Sequence, residues 1–193
     1  MAGPGIRPKP GCRPRKDHAL LEPHRKTGDP RVTGMNTLIN VGVSQMGASS
    51  SPSVLRTILG SCVGICIFDR MKKIGGMAHI LLPNNPGDGV AEKYADSAIP
   101  LLVNRLLKDG AKKEFLSAKL AGGASMFKFN ASVTLGQIGE RNVEESKKIL
   151  EKNGIPVLEE DTGGNMGRVI DFFLEDGRLK VKAGGQEKLY YKV

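Results

Sequence analysis

The stretch Val54-Leu55-Arg56-Thr57-Ile58-Leu59-Gly60-Ser61-Cys62-Val63-Gly64-Ile65-Cys66-Ile67-Phe68 decides how this chain is read. Val54–Leu59 has the length and branched side chains of a short strand. Cys62–Phe68 is a nearly continuous apolar run and reads as a buried stretch of strand length. Gly60-Ser61 separates the two. The backbone can bend there, so the Cys62 thiol stands at a junction between elements, where it can be exposed. The Asp69–Lys73 turn then leads into Ile74-Gly75-Gly76-Met77-Ala78-His79-Ile80-Leu81-Leu82, a further strand-length run ended by Pro83-Asn84-Asn85-Pro86-Gly87.

Upstream, Met35 opens the run Asn36–Val43, which reads as a first strand, and Ser49-Ser50-Ser51-Pro52-Ser53 reads as a loop. Downstream, residues 91–109 predict a helix with Tyr94, Ala95, Ala98, Leu102 and Leu106 on one face and Gly110 as its stop. Pro100 falls inside that pattern and should kink or split the helix. Residues 116–121 read as a strand followed by Gly122-Gly123. A second helix is expected from about Glu140 to Asn153, with Val143, Ile149 and Leu150 facing the core. Strands follow at Ile155–Glu159, Val169–Leu174 and Leu179–Ala183, and Asp176-Gly177 marks a hairpin between the last two. Helices and strands alternate only partly before strands take over. That order implies α+β or mixed α/β layering rather than a doubly wound sheet.

Composition narrows the class. Apolar residues are 39% of 193, enough for the core of one domain. No run reaches the roughly 18 apolar residues of a membrane span, and the basic N-terminus lacks the apolar core of a secretory signal. A cytoplasmic protein is expected. Residues 1–34 hold six prolines, many charges and little periodicity, so they are expected to be a disordered basic tail, with residues 35–193 as a single folded domain. Met35 is expected near the start of the folded protein and of the translated one. The formal charge of +9 points at first to nucleic acid or an anionic surface. Residues 1–35, however, carry eight Lys/Arg against Asp17, Glu22 and Asp29, which leaves an ordinary +4 on the rest. Nucleic-acid binding by the domain is therefore not expected.

Three cysteines (Cys12, Cys62 and Cys66) form no disulfide framework and fit a reducing compartment. No metal site is expected, because Cys12, His18 and His24 fall in the tail and four close ligands cannot be assembled. The folded part offers one histidine, His79. Cys66, inside an apolar run, reads as a small core residue. A Cys62–His79 pair could supply an activated thiolate, since histidine lowers a thiol pKa from about 8.5 into a range of about 3.5–7.5. From spacing alone the signal is weak, since a lone Cys/His pair is more often structural. The glycine-rich Ala121–Met126 segment lacks the lysine and spacing of a phosphate-binding loop and reads as a tight turn.

A wider pattern bears on that choice. Leu59-Gly60-Ser61-Cys62-Val63, Gly76-Met77-Ala78-His79-Ile80-Leu81-Leu82-Pro83, Lys93-Tyr94-Ala95-Asp96, Ala121-Gly122-Gly123-Ala124-Ser125-Met126-Phe127, Ile138-Gly139-Glu140-Arg141-Asn142 and Glu160-Asp161-Thr162-Gly163-Gly164-Asn165 occur in this order. Together they resemble the CheD family of chemoreceptor glutamine deamidases, over about four-fifths of the chain from Met35 onward. The resemblance implies an α+β fold of layered β-sheets flanked by helices, α/β/β/α-like. It also implies a catalytic Cys62, His79 as base, and Thr57 as a third site residue in less certain register, its alternative reading being an ordinary strand threonine. The implied activity is hydrolysis of glutamine side chains in methyl-accepting chemotaxis receptors to glutamate, through a thioester and without a cofactor. The implied partners are the receptor cytoplasmic domain as substrate and a CheC-type phosphatase. A related cysteine hydrolase acting on another protein amide or on receptor methyl esters, and a non-catalytic binding module whose basic tail grips nucleic acid or membrane, are the competing readings.

Overall fold

The computed structural model describes residues 37–87, 89–125 and 137–193. The expected tail at residues 1–34 lies outside the described residues, as do Met35, Asn36, Met126 and Phe127.

The described strands are β1 (Thr37–Asn40), β2 (Gln45–Ser50), β3 (Ser53–Leu59), β4 (Val63–Asp69), β5 (Ile74–Ile80), β6 (Leu116–Gly122), β7 (Val157–Thr162), β8 (Arg168–Phe173), β9 (Leu179–Ala183) and β10 (Gln186–Tyr190). Two α-helices join them, α1 (Ala95–Lys108) and α2 (Ile138–Lys152). The strands form two five-stranded sheets, one ordered β1-β3-β8-β9-β10 and the other β2-β5-β4-β6-β7. Each is mixed, with one parallel pair, β1–β3 and β6–β7 respectively.

β4 shows why the sequence reads as it does. All seven of its residues are buried. Val63, Ile65 and Ile67 join Ala98, Ile99, Leu102, Leu106 and Leu150 in a core under the helices. Cys66 and Phe68 face the other way, into a second core with Leu55, Leu59, Ile170 and Phe172 of the opposing sheet. A strand covered on both faces needs apolar side chains at successive positions, which removes the alternation of a half-exposed strand. The fold is thus the expected layered α+β architecture. Both described helices cover the β2–β7 sheet, so the layers among the described residues run helix, sheet, sheet. The outer face of the other sheet carries Arg56, Asp171 and Lys180 in a cross-strand ion-pair row, with Ile58 exposed beside them.

Two local expectations change. Of the serine-rich segment only Ser51-Pro52 is a turn: Ser53 opens β3, and Ser49 and Ser50 end β2, a strand poor in branched residues that is held by six residue pairs to β5, Gln45–His79 through Ser50–Ile74. Small size has a packing reason at Gly47, where a Cβ would lie 3.1 Å from Val41 Cγ2 and 3.6 Å from Leu55 Cδ2. Pro100 does not split its helix, since α1 runs unbroken from Ala95 to Lys108. Proline removes one N–H from the ladder, and burial of Ala98, Ile99, Leu102 and Leu106 on both sides of it outweighs that loss.

Polar side chains also tie the two sheets together. Lys119 on β6 donates to the carbonyls of Gly177 (2.9 Å) and Tyr190 (2.8 Å) and pairs with Glu159. Asp161 on β7 accepts from Tyr190 (2.6 Å) and from Arg168, which also reaches the Gly163 carbonyl. A third cross-sheet tie involves Thr57 and His79.

Candidate functional site

Thr57 lies on β3 in one sheet and His79 on β5 in the other. Both are buried, at 5% and 2% exposure. Thr57 Oγ1 is 2.8 Å from His79 Nδ1 and 2.6 Å from the Val41 carbonyl oxygen. A hydroxyl has one proton, and a carbonyl can only accept. The Thr57 proton therefore goes to Val41, and Nδ1–H of His79 donates to Oγ1. The ring is the Nδ1–H tautomer, with its lone pair on Nε2. That nitrogen is buried and has no hydrogen-bond partner among the described residues. Burial pushes the imidazolium below its ordinary value of 6.5, and the Val41 carbonyl partly opposes this. The result is a neutral imidazole presenting an unoccupied base.

Cys62 immediately precedes β4. In the β4–β5 ladder Val63 pairs with Ile80 and Gly64 with His79. Side chains at alternate positions share a face, and a Cβ on Gly64 would touch Leu59 and Ile170 of the inter-sheet core. Cys62, two residues earlier, packs on that same core. It is therefore a diagonal cross-strand neighbour of His79, a relation that spans roughly 7–8 Å between backbones and less between side chains. Cys62 thus lies just beyond the end of the β4–β5 ladder, which closes at Val63–Ile80. No hydrogen bond joins Sγ to Nε2 in this resting arrangement. Partial burial pushes the Cys62 thiol above its ordinary value, and its own backbone N–H offsets some of that rise. Thiol and imidazole are both neutral at rest, which suits proton transfer during attack better than a standing ion pair. Cys66 is fully buried and burial drives its pKa far upward, so it is an inert core residue.

The loop carrying Cys62 is held at three successive carbonyls. Gly60 O accepts from Ala124 N (2.8 Å), Ser61 O from Asn142 Nδ2 (3.1 Å), and Cys62 O from Gly123 N (2.8 Å). The glycines permit this closeness: Gly122 has φ +109°, and a Cβ there would lie 2.2 Å from Cys62 O. The Asp161–Asn165 turn joins the same cluster, with Gly163 N donating to Gly122 O and Ser125 N to Gly164 O. A groove beside it is lined by Gly123, Ser125, Glu140, Glu144, Thr162 and Gly164. Of the three residues singled out in the sequence, Thr57 and His79 are in direct contact, and Cys62 lies just beyond the end of the neighbouring strand, packed on the same core. The Val41 carbonyl and Asn142 were not singled out as site groups. A backbone acceptor has no sequence signal. Asn142 had a weak one, since with Ser146 it puts polar residues on the buried face of α2.

The family model described as CheD chemotactic sensory transduction matches residues 81–183. A protein of Caldanaerobacter subterraneus subsp. tengcongensis named probable chemoreceptor glutamine deamidase CheD is 46% identical over 157 residues, covering 79% of this chain and 97% of its own length. Proteins of the same name from Clostridium novyi (45% over 151 residues, 76% and 93%) and Methanococcus maripaludis (43% over 153 residues, 78% and 98%) match similarly. Stretches this long span Thr57, Cys62, His79 and Asn142 wherever in the chain they begin. A Neisseria meningitidis protein of known structure is 9% identical, over 67% of this chain and 64% of its own, with a TM-score of 0.44, too slight a likeness to bear on the fold. On the family-model match and on relatives of this identity and coverage, the chain belongs to the CheD family.

Proposed function

We propose that this protein hydrolyses glutamine side chains of chemoreceptors to glutamate, using Cys62 as nucleophile, His79 as general base and acid, and Thr57 to hold the imidazole. The observation that carries the catalytic assignment is the Thr57–His79 hydrogen bond, which commits Nδ1 and leaves a buried, bare Nε2 on the face of the sheet that Cys62 occupies. Membership of a family whose relatives are named chemoreceptor glutamine deamidases supports the substrate class.

The chemistry balances without a redox partner. Nε2 takes the thiol proton as Sγ attacks the carboxamide carbon, and the carbonyl oxygen becomes an oxyanion. The C–N bond breaks, the imidazolium returns its proton to the departing nitrogen, and ammonia leaves a thioester. Nε2 then accepts a proton from water, hydroxide adds to the thioester carbon, and collapse expels the Cys62 thiolate, which is reprotonated from His79. The net change is carboxamide plus water to carboxylate plus ammonium. Each event replaces a neutral side chain by a negative one on the receptor.

Incubation with a chemoreceptor cytoplasmic fragment is expected to convert specific glutamines to glutamates, seen as a mass change on mapped peptides, and Cys62→Ala and His79→Ala are expected to abolish it. Full activity in either variant would sink the assignment. The chemistry needs a reducing, receptor-facing location, which fits the cytoplasm, and no described helix is long and apolar enough to cross a membrane. A CheC-type phosphatase as a second binding partner belongs to the same reading. Co-purification with such a phosphatase tests it, and a phosphatase that leaves receptor deamidation unchanged when added in excess would count against competition for the site.

A further inference from the structure

Asn142 is fully buried on α2, yet it belongs to neither sheet and contacts none of Cys62 Sγ, Thr57 or His79 through its side-chain amide. Its Nδ2 donates to Ser61 O at 3.1 Å and to Leu81 O at 3.0 Å. An amide nitrogen has two protons, so both donors are used. The reverse amide orientation would set Oδ1 against two carbonyls, which fixes the assignment. The cost is visible: Oδ1 is buried with no partner. A residue placed only to fill the core would not need that orphan.

The two carbonyls occupy a special place. The β4–β5 ladder ends at the pair Val63–Ile80, and beyond it the strands part. Leu81 N turns away to bond Lys93 O. Ser61 and Leu81 are the arms of the resulting fork, one leading to the nucleophile and the other away from the base, and Asn142 spans them. A trans peptide directs its C=O and N–H to opposite sides. Holding Ser61 O inward on Asn142 therefore turns the N–H of Cys62 outward, away from α2. Among the described residues and outside the regular ladders, none of the N–H groups of Gly60, Ser61 and Cys62 donates to a backbone carbonyl.

We infer that Asn142 is a positioning residue that locks the Ser61–Cys62 peptide to the base-bearing strand and thereby aims the Cys62 N–H as a donor to the oxyanion formed during glutamine hydrolysis. The inference rests on the Cys62–His79 chemistry proposed above. A preorganised N–H at the site of developing charge needs no rearrangement as that charge forms, and the nucleophile's own amide lies next to the carbon it attacks. Asn142 touches no reacting atom. Its effect passes through one peptide unit.

The test compares the full-length wild type with Asn142→Ala and Asn142→Ser on a chemoreceptor cytoplasmic fragment, measuring kcat and KM. It also follows iodoacetamide alkylation of the Cys62 peptide against pH. Asn142→Ala is expected to lower kcat by roughly 10–100-fold with little change in KM. The alkylation midpoint should move to higher pH as the thiolate loses an aimed N–H. Asn142→Ser, which keeps one donor, should fall between. A merely structural role would lower the melting temperature and leave kcat of the folded protein and the alkylation profile as in the wild type. Either folded variant with wild-type kcat and profile overturns the inference, and if Asn142→Ala does not fold, Asn142→Ser decides by the same readouts. Cys62→Ala and His79→Ala run alongside keep the two failures apart. Activity surviving in them sinks the Cys–His chemistry, whereas its loss in them beside unaffected Asn142 variants sinks only this inference.

Discussion

At the scale of single residues, the site depends on where two protons sit. Thr57 gives its proton to Val41 O and receives the one on His79 Nδ1. Thr57→Val keeps the shape and removes both bonds, leaving a buried carbonyl and a buried N–H unpaired, so it is expected to cost about 1–3 kcal/mol of stability. It should also lower kcat by roughly ten- to a hundred-fold as the ring loses its orientation, while Thr57→Ser retains most activity. Wild-type kcat in Thr57→Val would show that the threonine is only a strand residue. The pH dependence follows from the imidazole. His79 is pushed below 6.5 by burial, so Nε2 stays free to accept a proton at pH values where an exposed histidine is already charged. The acid limb of kcat/KM is expected below 6.5, and a limb at or above that value would contradict the neutral resting base. Stability carries the same sign. As pH falls past 6.5 the unfolded chain binds the proton first, so the contribution of neutral His79 is complete above 6.5 and is lost as pH falls toward its lower folded value. Denaturant midpoints measured across that window should fall in the wild type and flatten in His79→Ala.

At the scale of elements, glycines set how closely α2 and the β6 end approach the nucleophile loop. Gly122 adopts φ +109° with space for no Cβ against Cys62 O, and a Cβ on Gly139 of α2 would lie 2.5 Å from Gly123 O. Gly122→Ala therefore meets both backbone strain and a clash. It is expected to destabilise by about 1–3 kcal/mol and to lower kcat in the fraction that remains folded, measured by urea titration and by receptor deamidation. A variant with wild-type stability and rate would remove the bend from the site. The elements also show what patterning can and cannot reveal. β4 was legible because both of its faces are covered. β2 was not, because Gln45-Met46-Gly47-Ala48-Ser49-Ser50 has no strand-like composition and owes its conformation to β5. Pro100 misled for the complementary reason: propensity marked a break that the packing of α1 on its sheet overrides.

At the scale of the whole molecule, the excess charge and the candidate site belong to different parts of the chain. The relatives use 93–98% of their own length in matching 76–79% of this chain, and the excess charge lies in residues 1–35. Removing residues 1–34 is therefore expected to leave receptor deamidation unchanged in the mass assay. A large fall in rate would assign part of receptor binding to that segment, and salt-sensitive nucleic-acid or lipid binding lost on deletion would favour the binding-module reading instead. Within the domain the sheets are joined by Lys119, by the Asp161–Arg168–Tyr190 cluster and by Thr57–His79. The Thr57–His79 tie thus belongs to a set of polar links across one interface, and it ends in a nitrogen with no hydrogen-bond partner among the described residues.

The amino-acid order by itself determined the layered α+β class, the buried β4, a thiol at the bend before it, and His79 as the one histidine of the folded part. Each of these is local: an apolar run, a glycine, a residue type that occurs once. Only the tertiary structure decided that Thr57 and His79, 22 residues apart and in different sheets, share a hydrogen bond. It alone decided that Val41 O sets the imidazole tautomer, and that Asn142 bridges the chain ends beside Cys62 and His79. Periodicity reports which face of an element is covered. Which polar atom meets which depends on how two sheets and a helix stack, and no single segment carries that register.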